Sequence, residues 1–260
     1  MSKKVKYVIK IFALIILIVC AGSVVYAKMW QKSAGPESTG VKGTDESVPG
    51  NQSADQEQVQ RAEKIKVACV GDSITYGAGV ISTRSRNSYP AKLAKLLGDD
   101  YTVFNFGVSG TTLINETNKP YRNESAFKES LEADPDIVLI MLGTNDSKAS
   151  NWNAGAYEKQ LQDVVNIYKE LPGSPQVYLM TCCAAYGEED QDVVAFHVNK
   201  TVIAVEIAAI IQRTARSCEV PVIDIYNATK DCPAYFVDGV HPNADGNEEI
   251  AQTVYRALIR

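Results

Sequence analysis

Beyond residue 64, five short apolar runs recur along the chain, at 65–70, 102–106, 137–142, 176–181 and 220–226. Their apolar residues are near-continuous rather than alternating, which is how strands covered on both faces read. Between the runs, apolar positions recur at three- and four-residue spacing instead. Tyr89, Leu93, Leu96 and Leu97 predict a helix closed by Gly98. Phe127 and Leu131 predict a short one that stops near Pro135. Tyr157, Leu161, Val164, Val165 and Tyr168 predict a third, ended by Pro172-Gly173. The stretch 194–215 reads as one long apolar helix. The stretch 248–259, with Ile250, Val254 and Leu258 on one face and acids in its first turn, reads as the last. Strand and helix alternate throughout, so the fold class is α/β with a parallel sheet. Right-handed crossovers favour a three-layer α/β/α sandwich. The expected strand order is the flavodoxin-like 2-1-3-4-5 of a five-stranded parallel sheet.

The first 63 residues do not share this pattern. Lys3, Lys4, Lys6 and Lys10 form a basic start, and 11–27 then runs without a charge. That sequence of regions predicts a signal peptide or a membrane anchor over 1–27, with the amino end in the cytoplasm. The apolar character of Val5, Tyr7, Val8 and Ile9 tips the balance towards an anchor. Residues 28–63 are rich in Gly, Ser, Glu, Gln and Lys and lack apolar periodicity, so they are expected to be a flexible polar linker. One domain is expected over 64–260, long enough for a real core. The expected location is extracytoplasmic, anchored or secreted at a bacterial cell surface.

Charge narrows the partners. Five of the 26 basic residues lie in 1–28, which holds no acid, leaving 21 basic against 31 acidic residues. A domain of that balance does not favour nucleic acid or anionic lipid, so membrane contact is expected through the N-terminal segment only. Five cysteines fall in the domain: Cys69, Cys182, Cys183, Cys218 and Cys232. No spacing among them resembles a zinc site. Cys69 and Cys182 fall in predicted strands, as buried free thiols do, while a bridge from Cys218 or Cys183 to Cys232 stays open.

The chemistry gathers where the strands end. Gly71-Asp72-Ser73-Ile74-Thr75 follows the first apolar run. Gly107-Val108-Ser109-Gly110 follows the second, and Gly143-Thr144-Asn145-Asp146 the third. Asp238-Gly239-Val240-His241-Pro242-Asn243 lies after the fifth, before the last helix, and carries one of only two histidines in the chain. Parallel strands share one carboxyl edge, so these segments can meet in one cleft. A serine, a histidine and an aspartate there are the parts of a nucleophilic hydrolase: Ser73 attacks, His241 takes and returns a proton, and Asp238 orients the imidazole. The plainer readings are that Ser73 caps a helix, that His241 sits in a surface loop, and that Asn145 and Gly107 belong to ordinary turns. His197, between Phe196 and Val198, reads as a packing or surface residue.

Taken together, the four blocks resemble those of the SGNH/GDSL hydrolase family, which is named for a serine, a glycine, an asparagine and a histidine in separate segments. The resemblance covers nearly all of 64–260. It implies an oxyanion hole built from the backbone amides of Ser73 and Gly107 and the side-chain amide of Asn145. It places Asp72, Thr144 and Asp146 around these groups, as residues that shape the loops presenting them. It implies no cofactor and no metal.

Small O-acyl esters, above all O-acetyl groups on carbohydrate, are the expected substrates, since the chain looks like bacterial carbohydrate O-acetylesterases of that family. Trp152, Tyr157 and Tyr186 follow strands three and four and either stack on a sugar or belong to the core. Lysophospholipase or thioesterase activity, a non-catalytic surface binding module and a flavodoxin-like phosphate or flavin binder are the competing readings.

Overall fold

The computed structural model describes residues 63–259. The leader expected over 1–27 and, apart from Glu63, the linker expected over 28–63 lie outside the described residues. Among the described residues no helix is long and apolar enough to cross a membrane.

Five parallel strands form one sheet in the order β2-β1-β3-β4-β5. They are β1 Ile65–Gly71, β2 Tyr101–Gly107, β3 Ile137–Met141, β4 Gln176–Met180 and β5 Val222–Ile223. The strand order is the one expected from the sequence. Register aligns the carboxyl ends of the three strands that matter most, because Gly71 pairs with both Gly107 and Met141.

Side chains alternate between two cores even though both are dry. Ala68, Val70, Val138, Ile140, Val177 and Leu179 face one side, and Val67, Cys69, Leu139, Met141, Tyr178 and Met180 the other. The first core is covered by α4 (Ser125–Glu132), α5 (Ala154–Lys169) and α6 (Ala208–Cys218). The second is covered by α3 (Tyr89–Leu97) and α8 (Ala244–Leu258). Three shorter pieces, α1 (Ser73–Tyr76), α2 (Arg84–Asn87) and α7 (Ile225–Thr229), sit at strand ends or between longer elements.

Helices α3 and α8 join the front of the domain to its tail. The buried Asn247 accepts from the Tyr89 amide at 2.8 Å and donates to the Pro242 carbonyl at 2.9 Å. Lys92 pairs with Glu248 at 2.8 Å alongside. This polar staple holds the segment before α8 against the segment after β1.

Two sequence expectations are corrected, and one question that the sequence left open is answered. Strand five is confined to Val222–Ile223, because Asp224 already accepts from the Asn227 amide and starts α7. The helix expected over 194–215 begins only after Asn199, whose side-chain oxygen accepts from the amides of Thr201 and Val202 at 3.0 Å each. It then passes through a π-helical stretch, Val202–Ile207, before α6. No bridge joins Cys218 or Cys183 to Cys232, and all five cysteines of the domain are free thiols. Burial pushes the Cys69 thiol up to about 12, with a smaller opposing effect from Tyr89.

Candidate active site

Ser73 opens α1 directly after β1. The helix is capped not by Ser73 but by Asp72, whose Oδ1 accepts from the Ile74 amide at 2.9 Å. With the cap supplied by its neighbour, the Ser73 hydroxyl is free for another partner, and that partner is His241. Ser73 Oγ and His241 Nε2 are 3.0 Å apart, across 168 residues of sequence.

Asp238 completes the line from the other side. Its Oδ2 lies 2.7 Å from His241 Nδ1, while its Oδ1 accepts from the Val240 amide at 3.0 Å and the His241 amide at 2.8 Å. Partial burial works against ionisation, but the bonds from the imidazole and the two amides outweigh it and hold the carboxyl below the usual range. An ionised carboxylate can only accept, so Nδ1 carries the proton and Nε2 presents its lone pair to Ser73. The arrangement can therefore withdraw a proton from Oγ.

These groups open into a cleft of about 290 Å³ that is also lined by Ala78, Ser109, Gly110, Thr144, Asn145 and Lys148. Phe196, Val198 and Val240 close its apolar wall. Asn145 is buried, and its amide nitrogen donates to the Thr111 carbonyl at 3.0 Å, which fixes its orientation and leaves one N–H over. Asp146 anchors the loop opposite, because its two oxygens accept from the Leu113 and Ile114 amides at 3.0 and 2.9 Å. Thr144 lines the cleft wall.

The two buried carboxylates beside the site differ from Asp238. Burial raises Asp72 to about 6, and the Ile74 amide, the Thr144 hydroxyl and the charges of His241 and Lys148 offset only part of it. Its Oδ2 makes no well-formed hydrogen bond although it is shut away from water. Burial likewise raises Asp146 to about 7 against its two amide donors, with the Asp72 charge adding to the rise. Lys148, half-buried nearby, is lowered by desolvation, and both carboxylates pull it back up. Among the described residues no group of three or more His, Cys, Asp or Glu side chains is placed to hold a metal ion.

Gly107 is not where the sequence reading put it. Its amide donates to Asn105 Oδ1 at 3.0 Å, and the residue does not line the cleft. A Cβ there would lie 2.2 Å from the Tyr76 nitrogen, so glycine is required for α1 to lie against β2, not for access to the site. Gly110, three residues on, does line the cleft. It has a φ of +82°, and its amide has no hydrogen-bond partner among the described residues. The signal was in the sequence: the same block carries two glycines, and the second stands in the turn beyond the strand.

Of the two readings open for Trp152, Tyr157 and Tyr186, the structure does not favour a place in the cleft. Tyr157 is in the core and donates to the Leu142 carbonyl at 2.7 Å. Trp152 donates its indole N–H to Glu206 at 3.1 Å, and Tyr186 donates its hydroxyl to the Thr229 carbonyl. None of the three lines the cleft. The aromatic side chain at its mouth is Phe196, which no periodicity marked. Phe196 and His197 stand at φ values of 59° and 61°. For residues with a side chain this region costs roughly 1–2 kcal/mol each. His197 itself is exposed, as a surface residue.

The profile of the GDSL-like Lipase/Acylhydrolase family matches residues 69–249, which takes in Ser73, Gly110, Asn145, Asp238 and His241. The chain belongs to the GDSL-like lipase/acylhydrolase family. Among curated proteins it is 35% identical over 219 residues to an acetylxylan esterase of Xylanibacter ruminicola, covering 76% of this chain and 44% of that protein. It is 27% identical over 235 residues to a multidomain esterase of Ruminococcus flavefaciens, covering 74% of this chain and 28% of that protein. The chain thus spans less than half the length of these relatives. A carbohydrate acetylesterase from Sinorhizobium meliloti superimposes with a TM-score of 0.61 at 20% identity, over 75% of this chain and 99% of that one. An aryl esterase of M. smegmatis does so with a TM-score of 0.61 at 21% identity, over 75% and 98%. At such identities the likeness speaks for the GDSL-like α/β/α fold.

Proposed function

We propose that this GDSL-like domain is a serine esterase that removes small acyl groups, principally O-acetyl, from carbohydrate. The observation that carries the reading is the unbroken line Ser73 Oγ, His241 Nε2, His241 Nδ1, Asp238 Oδ2, with contacts of 3.0 and 2.7 Å. In it, His241 takes the Ser73 proton as Oγ bonds to the ester carbonyl carbon, and Asp238 stabilises the imidazolium. The carbonyl oxygen gathers negative charge and is met by the Ser73 amide, the Gly110 amide and the remaining N–H of Asn145. Collapse breaks the bond to the alkoxy oxygen, which takes the proton from His241 and leaves as the alcohol. Water then adds to the acyl-enzyme by the same route, its proton going to His241, and Ser73 recovers that proton as the carboxylic acid departs.

A cleft of about 290 Å³ has room for an acetyl group together with part of the alcohol that carries it. The name of the acetylxylan esterase among the curated relatives supports carbohydrate as the leaving group. The basic start and uncharged run of 1–27 support a place outside the cytoplasm, where polysaccharide esters are met. The test is acetate release from acetylated xylan by the purified protein and by Ser73→Ala, with a serine-reactive phosphonate mapped to its peptide. The expected result is turnover abolished in Ser73→Ala and the label on Ser73. Equal acetate release by the two proteins sinks the proposal.

A further inference from the structure

Ester hydrolysis by itself has no use for Phe196, yet the chain goes to some length to present it. The residue is 52% exposed, while the aromatic side chains of the core are buried. Its backbone and that of His197 both lie in the left-handed region, which a bulky side chain avoids unless its surroundings hold it there. The surroundings do so on both sides. The Val194 amide donates to the Val198 carbonyl at 2.8 Å and closes the loop beneath Phe196. Val198 is buried, and the Asn199 amide donates to Ser147 Oγ at 3.1 Å, tying the loop to the segment that carries Asn145. Strained backbone fixed this firmly, with an exposed aromatic at its tip, is the profile of a ligand clamp rather than of a packing residue.

The position of the ring says which part of a ligand it meets. Phe196 lies against the His241 ring with centroids 5.0 Å apart and planes at 66°. His241 is the group that returns a proton to the departing alcohol, so a surface beside it borders the leaving group.

We infer that Phe196 is a specificity-determining platform on the leaving-group side of the cleft, and that it stacks on the apolar face of a pyranose ring whose hydroxyl carries the acetyl group. A pyranose offers a flat face of C–H groups, and a rigid aromatic face matches it at little entropic cost. The inference rests on the esterase reading above and adds the side chain that selects its alcohol.

The experiment compares kcat/KM for two acetate esters, methyl tri-O-acetyl-β-xylopyranoside and the acyclic glycerol triacetate, in the wild type, Phe196→Ala, Phe196→Leu and Phe196→Trp. The ratio of cyclic to acyclic kcat/KM is expected to fall roughly three- to tenfold in the Ala and Leu variants, through KM for the cyclic ester. The Trp variant is expected to keep it. A ratio in Phe196→Ala equal to that of the wild type overturns the inference while leaving the esterase reading in place. An equal loss on both esters, with the acid limb of the pH profile displaced, also overturns it, because Phe196 would then act only by supporting His241. A wild type as inert as Ser73→Ala on both esters removes the esterase reading and this inference with it.

Discussion

Asp238→Asn isolates the orienting role of the carboxylate from its structural one. Oδ1 accepts two backbone amides, and Oδ2 alone meets the imidazole. Asparagine can keep its oxygen on the two amides and turn its NH2 towards Nδ1. The opposite orientation would set that NH2 against two N–H donors, at about 1–3 kcal/mol for each group left unpaired. The first orientation therefore wins, and it forces His241 into the other tautomer. Nδ1 becomes the acceptor and Nε2 carries the proton, pointing it at Ser73 Oγ, where a lone pair is needed. Withdrawal of the serine proton then has no base. A loss in kcat of about 10³–10⁴-fold follows, comparable to the wrong-tautomer penalty seen in a serine protease. Stability should change by only about 1 kcal/mol, since both amide bonds survive. Acetate-release kinetics and a thermal melt on the same preparation measure the two quantities. A kcat within tenfold of the wild type at an unchanged melting temperature would refute the tautomer argument and Asp238 with it.

Two further predictions concern neighbouring groups. Gly107→Ala must push α1, and Ser73 with it, away from a Cβ placed 2.2 Å from the Tyr76 nitrogen, so it should destabilise by about 1–3 kcal/mol or more and lower activity. Gly110→Ala has open space, its nearest neighbour being Lys119 Cδ at 4.0 Å, and bears only the backbone cost of its positive φ, about 1–2 kcal/mol; a melt that ranks them the other way rejects this account of the two glycines. Asp72 is raised in the folded state, so the native protein holds a proton that the unfolded chain has lost, and stability falls as pH rises from the unfolded value near 3.8 to about 6. Asp72→Asn keeps the oxygen that caps α1 and should remove on the order of 2–3 kcal/mol of that fall; urea titrations at pH 4.5 and 7.5 that shift in parallel for the two proteins would contradict it.

The parts of the molecule that were legible in the sequence are those set by burial. Strands one, three and four announce themselves because both faces of each are dry, and the two cores take alternate side chains from the same apolar run; β2, at the sheet edge, is half-buried along most of its length. Strand five is short for a local reason that its apolar residues conceal: Asp224 turns the chain into a helix. The helix expected from 194 starts later because capping, not apolar content, sets where a helix begins. Asn199, a strong cap, marks the true start, and two of the apolar residues before it, Phe196 and Val198, wall the cleft. The segments bearing Ser73, Asn145 and His241 could be placed at the sheet edge from topology alone. The glycine block was legible as a segment, and the position of its second glycine in the turn beyond the strand marks Gly110, since Gly107 still pairs with Gly71 inside the sheet. Phe196 left no trace, since its conformation is imposed by contacts to Ser147 and across its own loop.

The two contacts of the proposed triad differ in what holds them. Asp238 and His241 are three residues apart, so a single turn brings them together. Ser73 and His241 are separated by 168 residues. By the logarithmic cost of closing a flexible loop, the longer contact is harder to form by about 3–4 kcal/mol. The 3.0 Å contact itself does not supply this, because a neutral hydrogen bond nets only about 0.5–1.5 kcal/mol. Helix α8 supplies it. Ile250, Ala251 and Val254 are fully buried against the same core as Tyr89 and Leu93, and each large apolar side chain contributes about 1.5–3 kcal/mol. Asn247 then converts that adhesion into position, joining the start of α3 to the Pro242 carbonyl, one residue beyond the imidazole. Loosening α8 should therefore part the serine from the histidine while leaving the aspartate–histidine pair intact. The nucleophile is activated only when the final helix is seated, so in this reading competence for hydrolysis follows from completion of the fold.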